Sequence, residues 1–158
     1  NFSNCLPALV GKSMQETYEN LDMCKLSLRL LKEGFDIIDG LGIQLLNMPD
    51  FDIEKLKGLT KMPLEQAAPI FSGIMTSLSK EPLYGSILQS IQRGRPSEID
   101  FINGEIANQA KFHNMEAKLN TRVTELVHHV EETKKFLTFE QVFVEIEKAL
   151  SLGREDFI

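Results

Sequence analysis

The chain has 158 residues, with 17 lysines and arginines against 23 aspartates and glutamates, a formal net charge of −6. That length bounds it to about one domain, large enough to bury a core. The acidic balance argues against a general nucleic-acid surface, which needs a basic stripe. No apolar run approaches the ~20 residues of a membrane span.

Apolar residues at 42% and charged residues at 25% are ordinary for a soluble globular protein. Cys5 and Cys24 are too few for a disulfide framework and predict two free thiols in a reducing compartment. The chain opens Asn-Phe-Ser-Asn, with neither a methionine nor a charged-then-apolar leader. This predicts a piece of a longer protein rather than a signal peptide.

In chain order, the first segment offers Leu6, Leu9 and Val10 for burial, and Gly11 closes it. Ser13 followed by Glu16 matches a capping box and predicts a short helical turn. From about Asp22 to Asp39, Met23, Leu26, Leu30, Gly34, Ile37 and Ile38 fall on one face at helical spacing, with Gly40 at the exit. Gly34 inside that helix costs about 1 kcal/mol against alanine unless another backbone packs closely there.

The signal weakens from Leu41 to Met62. Asn47-Met48-Pro49-Asp50 reads as a turn, and Asp52 is placed to cap a short helix ending at Gly58. Leu64, Ala67, Ala68, Phe71, Ile74, Met75 and Leu78 form another stripe. Pro69 interrupts it, which predicts either a kink or a start near Pro69. Glu81-Pro82 opens the next predicted helix, running to Arg93 with Leu83, Ile87, Leu88 and Ile91 apolar.

Arg93-Gly94-Arg95-Pro96 is the strongest breaker in the chain. Gly94 can leave a helix through a left-handed residue, and Pro96 fixes its own φ where a new helix can begin. Glu98 and Asp100 then fall in a first turn, where the helix dipole favours negative charge. Ile99, Ile102, Ile106 and Ala110 make the buried stripe of the helix that Glu98 is predicted to begin. Asn120 is placed to cap a helix bearing Val123, Leu126, Val127 and Val130. Thr138 with Gln141 is a second capping box, before the clean stripe Phe139, Val142, Phe143, Ile146 and Leu150. No segment alternates with period two, and the prediction is an all-α domain of about six to eight helices.

Unaided, these residues carry little chemistry. The histidines, His113, His128 and His129, have no zinc-ligand spacing with either cysteine, so no metal site is predicted. His128 points away from the Leu126 stripe and reads as solvated. There is no nucleophile elbow, phosphate loop or dinucleotide fingerprint. Ser86 and Gln89 share a helix face before the breaker, and Glu98 follows it. By themselves they describe a polar corner at the end of a helical hairpin. Arg93 and Arg95 could bind an anion there, but an exposed turn would carry such charges in any case.

The run Gly94-Arg95-Pro96-Ser97-Glu98-Ile99-Asp100-Phe101-Ile102-Asn103-Gly104 resembles the Gly-Arg-x-Thr/Ser-Glu-Ile-Asp-x-x-x-Gly signature of ketopantoate reductases (2-dehydropantoate 2-reductases). It is similar to the part found in their C-terminal domain. The resemblance implies an all-helical domain of the kind shared with 6-phosphogluconate dehydrogenase-like proteins. The implied whole is a cytoplasmic NADPH-dependent enzyme reducing ketopantoate to pantoate, a step toward pantothenate and coenzyme A. In that family a Rossmann half binds NADPH and substrate lies between the halves. Residues 1–158 would then be the substrate-binding half, with a homodimer left open and with no nucleic-acid or membrane partner.

The resemblance also implies site residues. Asn1 and Asn4, ahead of the apolar run Leu6 to Gly11, look like the family's substrate-contacting asparagines. Ser86 falls on its substrate-binding serine, and Gln89 ends that binding segment. Glu98 falls on the catalytic-site carboxylate beside cofactor and lysine, where two roles stay open: holding the lysine or accepting from the ribose. The lysine itself would precede Asn1, so the chain alone is expected to be inert.

Three departures stand out. An asparagine often found three residues before the serine is Leu83 here, another has no match around Met14, and residues 138–158 match nothing in the pattern. The alternatives are a helical dimerisation or interaction module, or the same domain from a reductase of a different 2-keto acid.

Overall fold

The computed structural model describes residues 2–47, 49 and 52–155, with the side chains of 152–155 left aside. Among the described residues there are nine α-helices, two 3-10 turns and no strand. A 3-10 turn at Phe2–Asn4 leads into α1 (Cys5–Val10), α2 (Met14–Tyr18) and the long α3 (Leu21–Gly40). Then come α4 (Ile53–Lys61), α5 (Leu64–Thr76) and α6 (Ser86–Gln92). A second 3-10 turn, Ile99–Phe101, precedes α7 (Asn103–Phe112), α8 (Lys118–Thr133) and α9 (Phe139–Glu155). The all-α expectation is met. The helix count exceeds the prediction because α1 and α2, with six and five residues, are too short to show a periodic stripe.

The fold is organised around α3, which packs on α5, α4, α7 and α8 and on the Phe2–Asn4 turn. Periodicity predicts one buried stripe on α3. The helix instead buries a second side as well, with Cys24, Ser27, Leu28, Leu31 and Phe35 inside. A helix apolar on most of its circumference belongs in the middle of a bundle. At Gly34 a Cβ would lie 3.1 Å from the Phe2 ring, so the close neighbour that offsets this glycine's cost is an aromatic side chain rather than a backbone. Tyr18 and Phe71 meet edge to face at 5.4 Å between α2 and α5, both buried.

Both predicted capping boxes form. Ser13 Oγ accepts from Glu16 N at 3.2 Å and Ser13 N donates to Glu16 Oε2 at 3.0 Å. Gln141 N donates to Thr138 Oγ1 at 3.1 Å, and Thr138 N to Gln141 Oε1 at 2.9 Å. Asp52 caps α4 as expected, accepting from Lys55 N at 3.0 Å, although that helix runs past Gly58 to Lys61. Helix α5 starts at Leu64 and passes through Pro69, because burial of Ala67, Ala68 and Phe71 on one face outweighs the missing donor.

Three predicted starts move, those of α6 and α8 and, at the corner that follows α6, that of α7. α6 begins at Ser86, not at Glu81-Pro82. Gln15 holds the preceding strand of chain extended: its Nε2 donates to the carbonyls of Ser79 and Glu81, at 3.2 and 3.0 Å, and its Oε1 accepts from Leu83 N at 2.9 Å. α8 begins at Lys118, so Asn120 lies inside it and is fully buried. Its first turn is capped from outside by Glu33, which accepts from Leu119 N at 3.0 Å and Asn120 N at 2.8 Å.

Helix α9 buries Val142 and Ile146, with Phe139, Phe143 and Leu150 partly covered against the same core. The link before it folds back along α1, where Leu137 N donates to Leu9 O at 2.8 Å.

A candidate ligand-binding ledge at the start of helix α6

The breaker of the sequence forms a tight corner. Arg93 closes α6, Gly94 takes the left-handed conformation at φ +67°, and Arg95 N donates back to Ser90 O at 2.9 Å. Arg93 and Arg95 are exposed on this corner. Glu98 does not begin a helix. It sits before the 3-10 turn Ile99–Phe101, and α7 starts only at Asn103, after a sharp break at Ile102 with φ −112° and ψ −92°.

Packing explains the shift. Ile99 is fully buried and pins the turn, while Gly104 lets α7 approach it closely; a Cβ there would lie 3.3 Å from the Ile99 carbonyl. The chain entering the turn is tied elsewhere, Ser97 N donating to Glu131 Oε1 at 2.8 Å.

This corner returns Glu98 to the start of α6, where Ser86 Oγ donates to Glu98 Oε1. Both residues are exposed, so the pair forms an open ledge. Gly85, the N-cap of α6, is buried against Asn4; a Cβ at Gly85 would lie 3.3 Å from Asn4 Cγ. The Asn4 amide therefore lies one residue from Ser86. Gln89 stands one turn further along, half-buried, and its Nε2 donates to Tyr84 O at 2.8 Å. Thus Asn4, Ser86 and Glu98 come together, Gln89 is held by the backbone beside them, and Asn1 lies outside the described residues.

A ring of polar contacts stiffens the ledge. Phe2 O accepts from Asn103 Nδ2 at 3.3 Å and from Cys5 Sγ at 3.0 Å. Ser3 O accepts from the buried Tyr18 hydroxyl, and Ser3 Oγ pairs with Ser27 Oγ at 2.7 Å. The 3-10 turn carrying Asn4 is thus tied to α1, α2, α3 and α7.

On the other side, His128 is not simply solvated. It bridges Glu131 Oε2 at 2.9 Å and Asp100 Oδ1 at 2.8 Å. Burial pushes its pKa down, but the hydrogen bonds to Asp100 and Glu131 outweigh this and the net shift is upward. For Glu131 burial acts upward, and the bonds from Ser97 and His128 bring the net value below the ordinary carboxylate range.

Among the described residues no group of three or more potential ligands could hold a metal ion. A groove of about 480 Å³ lies elsewhere, between α8 and α9, lined in part by Arg122, Glu125 and Lys148. It shares no residue with the ledge. The ledge instead brings convergent hydrogen-bonding groups together, the feature from which binding specificity comes.

The family described as "Ketopantoate reductase PanE/ApbA C terminal" matches residues 2–131. The chain belongs to that family. A 2-dehydropantoate 2-reductase from Pyrococcus horikoshii is 36% identical over 99 residues, covering 62% of this chain and 28% of the relative. Another from Pyrococcus abyssi is 51% identical over 37 residues, covering 23% of the chain and 12% of the relative. The matched parts are therefore under a third of the length of either relative.

Two solved structures share the fold. A D-mandelate dehydrogenase in ternary complex with NADH and anilino(oxo)acetate superposes with a TM-score of 0.60 at 22% identity, covering 84% of this chain and 48% of that one. A PanE/ApbA family ketopantoate reductase from Ralstonia eutropha gives 0.59 at 18% identity, covering 83% and 39%.

Within this ketopantoate reductase C-terminal domain, sequence reasoning missed the residues that hold the ledge. Gln15, Glu33, Asn103 and His128 act across 17 to 101 residues of separation, and no local pattern reports such partners. One signal was available. Asn103 and Asn120 interrupt otherwise apolar buried faces, and a polar residue at a core position needs a partner.

Proposed function

We propose that this chain is the substrate-binding half of an NADPH-dependent 2-dehydropantoate 2-reductase, reducing ketopantoate to pantoate in the path toward pantothenate and coenzyme A. The observation that carries the reading is the Ser86–Glu98 hydrogen bond beside Asn4. It groups, on one exposed ledge, the residue types that a small hydroxylated keto acid needs.

The Asn4 amide offers two donors and an acceptor, and the Ser86 hydroxyl rotates freely between Glu98 and a ligand. Neutral groups of this kind orient a carboxylate and a hydroxyl without competing for the transferred proton. Asn1, three residues earlier in sequence, is assigned the same role. Gln89 braces the segment through Tyr84 O and lines its edge.

Glu98 has one oxygen engaged by Ser86, and its other oxygen has no protein partner among the described residues. That exposed acceptor fits a lysine ammonium or a ribose hydroxyl, so the ledge suits the sugar end of NADPH. NADPH, bound mainly by a Rossmann domain ahead of this chain, supplies the hydride. A lysine upstream of Asn1 donates the proton as charge builds on the carbonyl oxygen, and Glu98 holds that cation in place. The chain by itself is inert on this reading. Residues 1–158 then form one substrate domain, in which α9 packs on the core through Val142 and Ile146.

A reductase of a different 2-keto acid is the second reading, and Leu83 favours it. Its backbone N–H and carbonyl are taken by Gln15 and Met14, and the residue is 37% exposed, three positions before Ser86. An apolar group there suits a less polar substrate. Phe101 and Phe112, 83% and 82% exposed, mark apolar surface for the Rossmann half or a second copy. The proposed whole is a cytoplasmic enzyme; among the described residues no helix is long and apolar enough to cross a membrane.

Steady-state kinetics of the full-length protein on a panel of 2-keto acids tests the reading. NADPH-dependent turnover with ketopantoate supports it, and higher kcat/KM with an apolar keto acid supports the second form. Reduction of ketopantoate by the isolated chain overturns the inertness.

A further inference from the structure

We propose that His128 is a positioning residue for Glu98, clamping the 3-10 turn beside it onto helix α8. The inference rests on the reading of Glu98 as an active-site carboxylate. Ser97 precedes Glu98 directly and Asp100 follows it by two residues, and both are tied to the same place on α8. Ser97 N donates to Glu131 Oε1 at 2.8 Å, and His128 bridges Glu131 Oε2 at 2.9 Å to Asp100 Oδ1 at 2.8 Å. The charged groups acting on His128 are Asp100, from the turn packed against α8, and Glu131, on α8 itself.

The chemistry of imidazole gives this clamp a direction. Two carboxylate oxygens are acceptors only, so a ring that bonds both must donate from both nitrogens, and only the cation does so. On losing its proton the ring keeps one donor and turns a lone pair toward the other carboxylate. Glu131 is the partner that stays: its side chain is 14% exposed, and Ser97 N holds it from the backbone. Asp100, 59% exposed, is released to water. The clamp therefore opens at its Asp100 end, two residues from Glu98, while Ile99 remains buried and keeps the turn folded. The effect is a loosening of Glu98 against Ser86 rather than unfolding.

The test uses the full-length protein containing this chain. The resonances of Ser86 and Glu98 are followed by NMR as a function of pH, beside the imidazole of His128. The expected result is one shared midpoint above the ordinary histidine value. Asp100→Asn should lower the His128 midpoint, and His128→Gln should abolish that step at Ser86 and Glu98. In kinetics, kcat/KM of the unaltered enzyme should carry a limb at this midpoint, absent from His128→Gln. Below it the variant should be about threefold to fivefold slower, the scale of a half-exposed ion pair.

Ser86 and Glu98 resonances that ignore the His128 midpoint overturn the proposal, as does an unchanged pH profile in an active His128→Gln. If the NMR coupling holds but no keto acid is reduced, the reductase reading fails and the positioning role stands.

Discussion

Glu33 on α3 caps α8 through Asn120, its Oε1 accepting both the backbone N–H and the side-chain Nδ2 of that residue at 2.8 Å. Asn120 in turn accepts from Asn103 Nδ2 at 2.9 Å, and Asn103 donates to Phe2 O at 3.3 Å. One chain of hydrogen bonds thus joins α3, α8, α7 and the turn that carries Asn4. Because Asn103 and Asn120 are fully buried, each broken link leaves a polar group without water.

Glu33→Ala should therefore cost more than an ordinary surface change, on the order of 1–3 kcal/mol, by orphaning the first donors of α8. Chemical denaturation followed by circular dichroism measures it. Glu33→Gln keeps one acceptor and should fall between. A loss below the noise of the midpoint would show that water replaces the cap.

Gly11 is the glycine least open to substitution. It takes φ +66°, and a Cβ would lie 2.7 Å from the Phe136 ring. Gly11→Ala should destabilise by more than ~1 kcal/mol, since strain and clash add. Pairing it with Phe136→Ala should recover part of that loss in a double-mutant cycle, leaving the φ strain.

The two thiols should be unreactive while the protein is folded. Cys5 and Cys24 are free and fully buried, and burial pushes the first up to about 12 and the second up to about 11. Alkylation at mildly alkaline pH should be slow in the native state and complete in denaturant. Rapid native labelling of either cysteine would contradict the packing of α1 or α3.

Stability should be greatest between the carboxylate and histidine ranges. His128 has a raised folded pKa, so its contribution is complete below the ordinary histidine value and is lost as pH rises through the folded one. Glu131 has a lowered pKa, so its contribution is present above the ordinary carboxylate value and is lost as pH falls through the folded one. His128→Gln should flatten the alkaline side of the profile and leave the acid side largely intact.

What was legible in the chain was local. The capping boxes Ser13–Glu16 and Thr138–Gln141, the free thiols and the all-α class follow from nearest-neighbour chemistry, and all appear. The starts of α6, α7 and α8 do not, because Gln15, Ile99 and Glu33 decide them from elsewhere in the fold. The second buried side of α3 was hidden for a related reason: a single amphipathic stripe already accounts for the helix, and the burial of Leu28, Leu31 and Phe35 beside Cys24 and Ser27 depends on what packs outside. At the ledge, the breaker from Arg93 to Pro96 marked the corner that brings Ser86 and Glu98 to one end, but not the 3-10 turn that follows Glu98 in place of a helix.

On the proposed reductase activity, Ser86→Ala in the full-length protein should lower kcat/KM by about tenfold to a hundredfold, the worth of one hydrogen bond to a charged group. Glu98→Gln should depress turnover further while keeping the Ser86 contact. Equal activity in all three proteins would remove the ledge from the mechanism.

The most direct measurement is titration of pantoate, with NADP+ present, onto isotopically labelled full-length protein, read residue by residue. Saturable shifts should be concentrated at Asn4, Ser86, Gln89 and Glu98. Shifts centred instead on the groove of Arg122 and Lys148, or none at saturating ligand, would contradict the proposed site.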